Sequence, residues 1–155
     1  MRGPNVFAGY WRNAEATRAA FTADGWLRTG DIAEADDEGN YRIKGRLKDM
    51  VISGGENVYP AEIESVLHEH PAVADAAVVG VPDDEWGERI HAVVVPKPGR
   101  GLDAAALDAF VAERLAGFKR PRSWEVRHAL PRTESGKLLK RVLRAEYRDG
   151  QPSHV

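Results

Sequence analysis

Two apolar runs in the middle of the chain, VADAAVVGVP at 73–82 and RIHAVVVP at 89–96, leave few choices of fold. Their length and β-branched content mark buried strands flanking the polar loop DDEWGE. The sequence around them supplies helices. Pro60 suits a first helical position, where its missing N–H costs nothing, and Ile63, Val66 and Leu67 then share a face. A helix is expected from about 60 to 69, stopped by His70-Pro71. Asp103 can cap a second helix, with Leu107, Phe110, Val111 and Leu115 at helical spacing and Gly117 at its end. Trp124 to Arg127 alternates like a strand, and Leu138 to Tyr147 has the pattern of an amphipathic helix. The order helix, strand, strand, helix, strand, helix implies an α+β domain: a three-stranded sheet with packed helices, plus a short β-hairpin.

The segment ahead of Pro60 is different. Residues 1–30 are rich in loop formers (Gly3, Pro4, Gly9, Gly25, Gly30), with one short helix expected over Ala14 to Phe21. Asp31 to Ala35 and Tyr41 to Lys44 are strand candidates joined by the turn sequence DDEGN, and Leu47 to Ile52 is another. A chain of 155 residues can hold one domain, or one domain plus a piece of another.

Composition narrows the chemistry. With no cysteine, disulfides, thiolate metal sites and thiol nucleophiles are excluded, which fits a reducing cytoplasm. No run approaches the roughly 20 apolar residues of a membrane span. A net charge of -2 lacks the basic excess of a nucleic-acid binder, although residues 119–148 hold ten Lys or Arg against three Glu.

Several residues could carry chemistry, each with a plainer explanation beside it. Lys137 lies behind a loop of Thr, Glu, Ser and Gly and is followed by Lys140, Arg141 and Arg144, so a solvated charge run accounts for it locally. Asp31 in TGD suits a turn, Arg46 a surface ion pair, and Lys48 an exposed position. Gly54 and Gly55 in SGGEN permit positive φ, for a plain turn or for close approach of a ligand. Trp86 in DDEWGE, and Phe118 with Arg120 in GFKRP, are aromatic and basic groups in loops, with core packing as the alternative for the rings.

GYWRNAEAT, DGWLRTGD, GRLKDMVISGGENVYPAEIE and PRTESGKLLKR together resemble, in order and spacing, the adenylate-forming enzymes: acyl- and aryl-CoA synthetases, peptide-synthetase adenylation domains and beetle luciferase. The resemblance runs from about Gly3 to Arg144. It implies that Asp31 accepts hydrogen bonds from the ribose of ATP or AMP, with Arg46 on the ribose and phosphate side. Lys48 matches the hinge about which the small domain rotates. Gly54 and Gly55 match the loop lining the pantetheine tunnel, Gly55 being the position that cannot accept a side chain. Trp86, Phe118 and Arg120 match residues that hold the nucleotide of coenzyme A, aromatics against adenine and arginine against phosphate. Lys137 resembles the catalytic lysine whose ammonium meets the substrate carboxylate and the α-phosphate as pyrophosphate leaves.

The resemblance also implies parts not found in these residues: a phosphate loop, a Mg²⁺ ligand, the adenine pocket and the pocket for the carboxylic acid. The expected organisation is therefore a terminal segment of the large domain over 1–45, a C-terminal lid domain over 46–148, and a tail over 149–155. The expected function is that of the C-terminal part of an acid–CoA ligase, inactive alone, with no metal site of its own and Mg²⁺ bound mainly by the large domain. Its partners would be the acid, ATP, CoA and that large domain, with no nucleic acid and no membrane span. Three alternatives stay open: a peptide-synthetase adenylation domain, a stand-alone lid-fold binding or regulatory module, and a subunit completing a separate large polypeptide.

Overall fold

The computed structural model describes residues 1–148, so the tail set apart at 149–155 lies outside the described residues. The chain falls into two compact units, Met1–Lys48 and one that begins at Asp49.

In the first unit, α1 (Ala14–Ala20) is capped by the Asn13 side chain, which accepts from Ala16 N–H at 2.9 Å. Strands β1 (Asp31–Ala35) and β2 (Tyr41–Arg46) pair antiparallel, as DDEGN suggests. The Asp36 carboxylate holds that turn, accepting from the N–H groups of Asn40 at 2.8 Å and Glu38 at 3.1 Å. No residue of this unit is buried.

The second unit has the core. A five-stranded sheet has the order β4-β3-β6-β5, formed by β3 (Val51–Ser53), β4 (Glu56–Val58), β5 (Val73–Asp83) and β6 (Gly87–Pro96), while β7 (Ser123–Val126) also pairs with β6. β5 and β6 pair antiparallel along nearly their whole length, as the two apolar runs predict. The other edge of β6 is shared. Ser53 of β3 pairs with Gly87 at its start, and β7 runs parallel to it along His91–Val94.

Three helices cover the sheet: α2 (Pro60–His68), α3 (Ala104–Ala112) and α4 (Lys140–Arg148). Alternate residues of β5 point to opposite faces. Ala76 and Val78 join Ile63 and Leu67 of α2 and Leu107 and Val111 of α3 in one cluster. Ala77 and Val79 join Leu130 and, from α4, Leu143 in the other. Both faces are covered, which is why these strands are apolar at consecutive positions. Among the described residues no helix is long and apolar enough to cross a membrane.

Four local expectations change. The three-stranded sheet is extended to five because the β3–β4 hairpin joins it through the single pair Ser53–Gly87. Leu47 to Ile52 is not one strand: Leu47–Asp49 forms a 3₁₀ turn, with Leu47 N–H donating to the Gly30 carbonyl at 2.8 Å, and β3 starts only at Val51. α3 stops at Ala112 rather than near Gly117, because the Arg120 side chain takes up the Ala112 and Leu115 carbonyls. α4 starts at Lys140, two residues late, because Leu138 bridges to Arg132 and Leu139 N–H donates to the Pro131 carbonyl at 2.8 Å.

Candidate functional site

The turn that carries Lys137 is closed by its own polar groups. Thr133 N–H donates to the Lys137 carbonyl at 2.9 Å, and Gly136 N–H donates to the Thr133 carbonyl at 2.8 Å. Lys137 N–H returns to Thr133 Oγ1 at 3.0 Å. Gly136 sits at φ +81°, a left-handed conformation that costs a residue with a side chain about 1–2 kcal/mol. Backbone and hydroxyls are thereby satisfied locally, while the Lys137 side chain is exposed and makes no ion pair among the described residues.

Its basic neighbours behave otherwise. Lys140 Nζ lies 2.6 Å from Glu64 Oε1, both side chains being about 15% exposed, and the same oxygen accepts from Val78 N–H at 2.7 Å. Arg144 pairs with Asp49 at 3.0 Å. Two of the three residues behind Lys137 therefore bind α4 to the rest of its unit and are not a solvated face; of the three, Arg141 alone is exposed.

The second loop is the turn between β3 and β4. Gly54 at φ +59° and Gly55 at φ +85° are its central pair, both left-handed, as a tight two-residue hairpin turn requires. The two differ in crowding. A Cβ on Gly54 would stand 2.5 Å from the Trp86 ring, whereas one on Gly55 would meet nothing. Within this chain the crowded glycine is Gly54, and Gly55 is constrained by φ alone.

Trp86 is half-buried and committed to neighbours. Its backbone N–H donates to Asp83 Oδ1 at 3.0 Å, its carbonyl accepts from Gly54 N–H at 3.1 Å, and the Arg122 guanidinium stacks 3.9 Å from its ring centroid. Trp86 and Phe118 do not form an aromatic pair. Phe118 projects from a 3₁₀ turn over Gly117–Lys119, 43% exposed, with Lys119 Nζ 5.6 Å from its centroid. Arg120 caps α3, donating to Ala112 O at 2.9 Å and Leu115 O at 3.2 Å. Beside it a cavity of about 480 Å³ is lined by Ala104, Asp108, Gly117, Arg120, Pro121, Arg122 and Trp124. Sequence inspection passed over Arg122, whose signal was its spacing of two from Arg120.

In the first unit Asp31 and Arg46 are register partners on β1 and β2, with Arg46 Nε 3.1 Å from Asp31 Oδ1. Lys48 is exposed in the 3₁₀ turn that ends the unit.

A buried polar cluster went unnoticed in the sequence. His91, 6% exposed, has Nδ1 2.7 Å from Ser123 Oγ and Nε2 2.8 Å from Tyr147 OH. Tyr147 donates to Glu125, and Arg127 reaches Glu125 at 2.5 Å and Glu146 at 2.7 Å. With Tyr147 donating, its oxygen accepts from Nε2–H, leaving Nδ1 to accept from Ser123: a neutral imidazole satisfies every partner. Burial pushes the His91 ring down to about 4 against the opposing pull of Glu125. Burial and the bond to Glu125 push the Tyr147 hydroxyl up. For Glu125 burial works upward, but the bonds from Arg127 and Tyr147 outweigh it and hold the carboxyl low. This cluster welds α4 to β6 and β7, with no group exposed for a substrate.

Residues 62–137 match the AMP-binding enzyme C-terminal domain family. The chain resembles acyl-CoA synthetases of the adenylate-forming superfamily. It is 56% identical, over 93% of its length, to an octahydroindenyl-propanoyl:CoA ligase of Mycobacterium tuberculosis. It is 50% identical, over 95%, to the feruloyl-CoA synthase of an Amycolatopsis species. The crystal structure of ATP-bound MatB from Rhodopseudomonas palustris superposes with a TM-score of 0.88 at 45% identity over 96% of the chain. The chain spans less than a third of these proteins: 28%, 30% and 29% of their lengths respectively.

Proposed function

We propose that this chain is the C-terminal part of an acid–CoA ligase, which joins a carboxylic acid to AMP from ATP and then passes the acyl group to CoA. The observation that carries the proposal is a contrast in and just after PRTESGKLLKR: Lys137 has no acidic partner among the described residues, on a turn closed by its own hydrogen bonds, while Lys140 and Arg144 are tied inward. An unpaired ammonium on a preorganised turn suits a transition state whose charge spreads over phosphoryl and carboxylate oxygens.

The first unit supports a large-domain partner. It has no buried residue, and Trp11 at 87% and Tyr41 at 76% are left exposed. We assign 1–45 to the end of that domain and 46–148 to the lid, with Lys48 as hinge. Asp31 and Arg46, both partly exposed, would take the ribose and phosphate of the nucleotide; their mutual pair would open to do so.

For CoA, the cavity beside Arg120 and Arg122 offers two guanidinium groups for phosphate, and the exposed face of Phe118 suits an adenine. Trp86, already stacked by Arg122 and pressed on Gly54, would act by shaping the glycine turn as much as by meeting a base. Mg²⁺ would be held by the large domain, and the lack of cysteine suits a cytoplasmic enzyme.

Acid-dependent pyrophosphate exchange tests the proposal. The chain alone should give none, and fusion behind an adenylate-forming large domain should give exchange that depends on the acid. Exchange by the repurified chain alone, or silence of a correctly folded fusion, would overturn it.

A further inference from the structure

We propose that Arg132 is a positioning residue for Lys137, holding the catalytic turn against β5 through Asp75. The inference rests on the reading of Lys137 given above and adds a second residue to it. One Arg132 guanidinium makes two bonds to separate parts of the fold. Nη1 donates to the Gly136 carbonyl at 2.7 Å, the residue before Lys137, and Nη2 donates to Asp75 Oδ2 at 2.5 Å.

Asp75 is itself fixed. It lies on β5, its other oxygen accepts from Ala76 N–H at 3.0 Å, and His68 Nε2 stands 3.5 Å from that oxygen. His68 is held in turn by a 2.7 Å bond between Nδ1 and the Glu64 carbonyl on α2. A continuous path of contacts thus links the last carbonyl before Lys137 to the sheet and to α2.

Bonds between Thr133 and Lys137 fix the turn's shape, and its stem is held by the Arg132–Leu138 bridge and by Leu139 N–H donating to the Pro131 carbonyl at 2.8 Å, but none of these bonds reaches from the turn's tip to the sheet. Among the described residues Arg132 is the side chain that ties the turn's outer carbonyl to the sheet. A guanidinium is suited to this, being planar with several donors in fixed directions, whereas an ammonium cannot span two acceptors in the same way. Arg132 is 41% exposed, so the ion pair adds little to global stability and its loss should leave the fold intact. Its consequence is geometric: a catalytic group displaced by about 1 Å can lose up to ~10²-fold in rate.

Arg132→Ala, Arg132→Lys, Asp75→Asn and Lys137→Ala test this with two readouts. In the 155-residue chain, NMR should show the Gly136 and Lys137 amides exchanging about tenfold faster in Arg132→Ala and Asp75→Asn, with Val78 and Val93 unchanged. In the ligase with its large domain, adenylate formation should fall about tenfold in Arg132→Ala and about threefold in Arg132→Lys, while thioester formation from supplied acyl adenylate holds. Unchanged exchange and adenylation in the Arg132 and Asp75 variants, with Lys137→Ala impaired, would reduce Arg132 to a surface ion pair. Equal loss in both half-reactions would make its role structural and also overturn the proposal. Full adenylation activity in Lys137→Ala would remove the reading of Lys137 and, with it, the catalytic role of Arg132.

Discussion

The turn at Thr133–Lys137 and the first turn of α4 are almost continuous in sequence, and each presents a lysine. Lys140 is 14% exposed, 2.6 Å from the Glu64 carboxylate, and serves the fold. Lys137 stands in solvent with no acidic partner among the described residues, on a turn whose shape is set by Thr133 and Gly136. A charge that packs must be neutralised where it sits, whereas a charge that meets a ligand must be left unpaired until the ligand arrives. Lys140 shows the first solution, and on the function proposed above Lys137, three residues away, takes the second.

The largest effect expected on breaking that contrast is kinetic. Lys137→Ala should slow acyl-adenylate formation by about 10²–10³-fold, the range for losing one preorganised donor, with thermal unfolding shifted by no more than about 1–2 °C. Rate assays paired with a melting curve would decide it. A large fall in melting temperature would place Lys137 with Lys140 as a structural residue.

Next comes pH, which probes the anchored side. Unfolded chain takes up a proton at His91 near pH 6.5, but the folded chain does so only near 4. Between those values the unfolded state binds more protons, so stability falls as pH falls, by about 3 kcal/mol across the window. The depressed Glu125 carboxyl adds loss in the same direction at lower pH. Urea midpoints taken between pH 7 and pH 4 should drop, and His91→Gln should flatten the slope above pH 5.

Lys140→Ala should cost about 2 kcal/mol in urea unfolding, because Glu64 loses its cation while staying largely buried. Any loss of activity should fall equally on both half-reactions, unlike that of Lys137→Ala.

The smallest effect is in the glycine turn, where crowding can be separated from backbone strain. Gly55→Ala should cost about 1 kcal/mol, from φ alone, and Gly54→Ala measurably more, since its Cβ meets Trp86 at 2.5 Å. Equal costs in thermal melts would mean that Trp86 moves aside freely.

Features fixed by local chemistry were legible in the sequence. β5 and β6 could be read from unbroken apolar runs because helices cover both faces; α2 and α3 announced their starts through Pro60 and Asp103. The turn before Lys137 showed in its Thr, Ser and Gly. Features fixed by distant partners were not legible. α3 ends early because Arg120, eight residues on, claims its carbonyl. β4 is three residues long, and although Gly54 and Gly55 announced the turn, the short strand after it has no pattern of its own. Lys140 and Arg144 looked like a wet charge run because Glu64 and Asp49 lie far back in the chain, and Arg132 was hidden among them for the same reason.

The most direct test of the account follows the two half-reactions separately under single-turnover conditions in the full ligase. Lys137→Ala should lose adenylation and keep thioester formation from supplied acyl adenylate; Gly55→Leu should keep adenylation and lose the thioester step. Equal losses in both steps for both variants would contradict the account and leave Lys137 and Gly55 as ordinary contributors to folding.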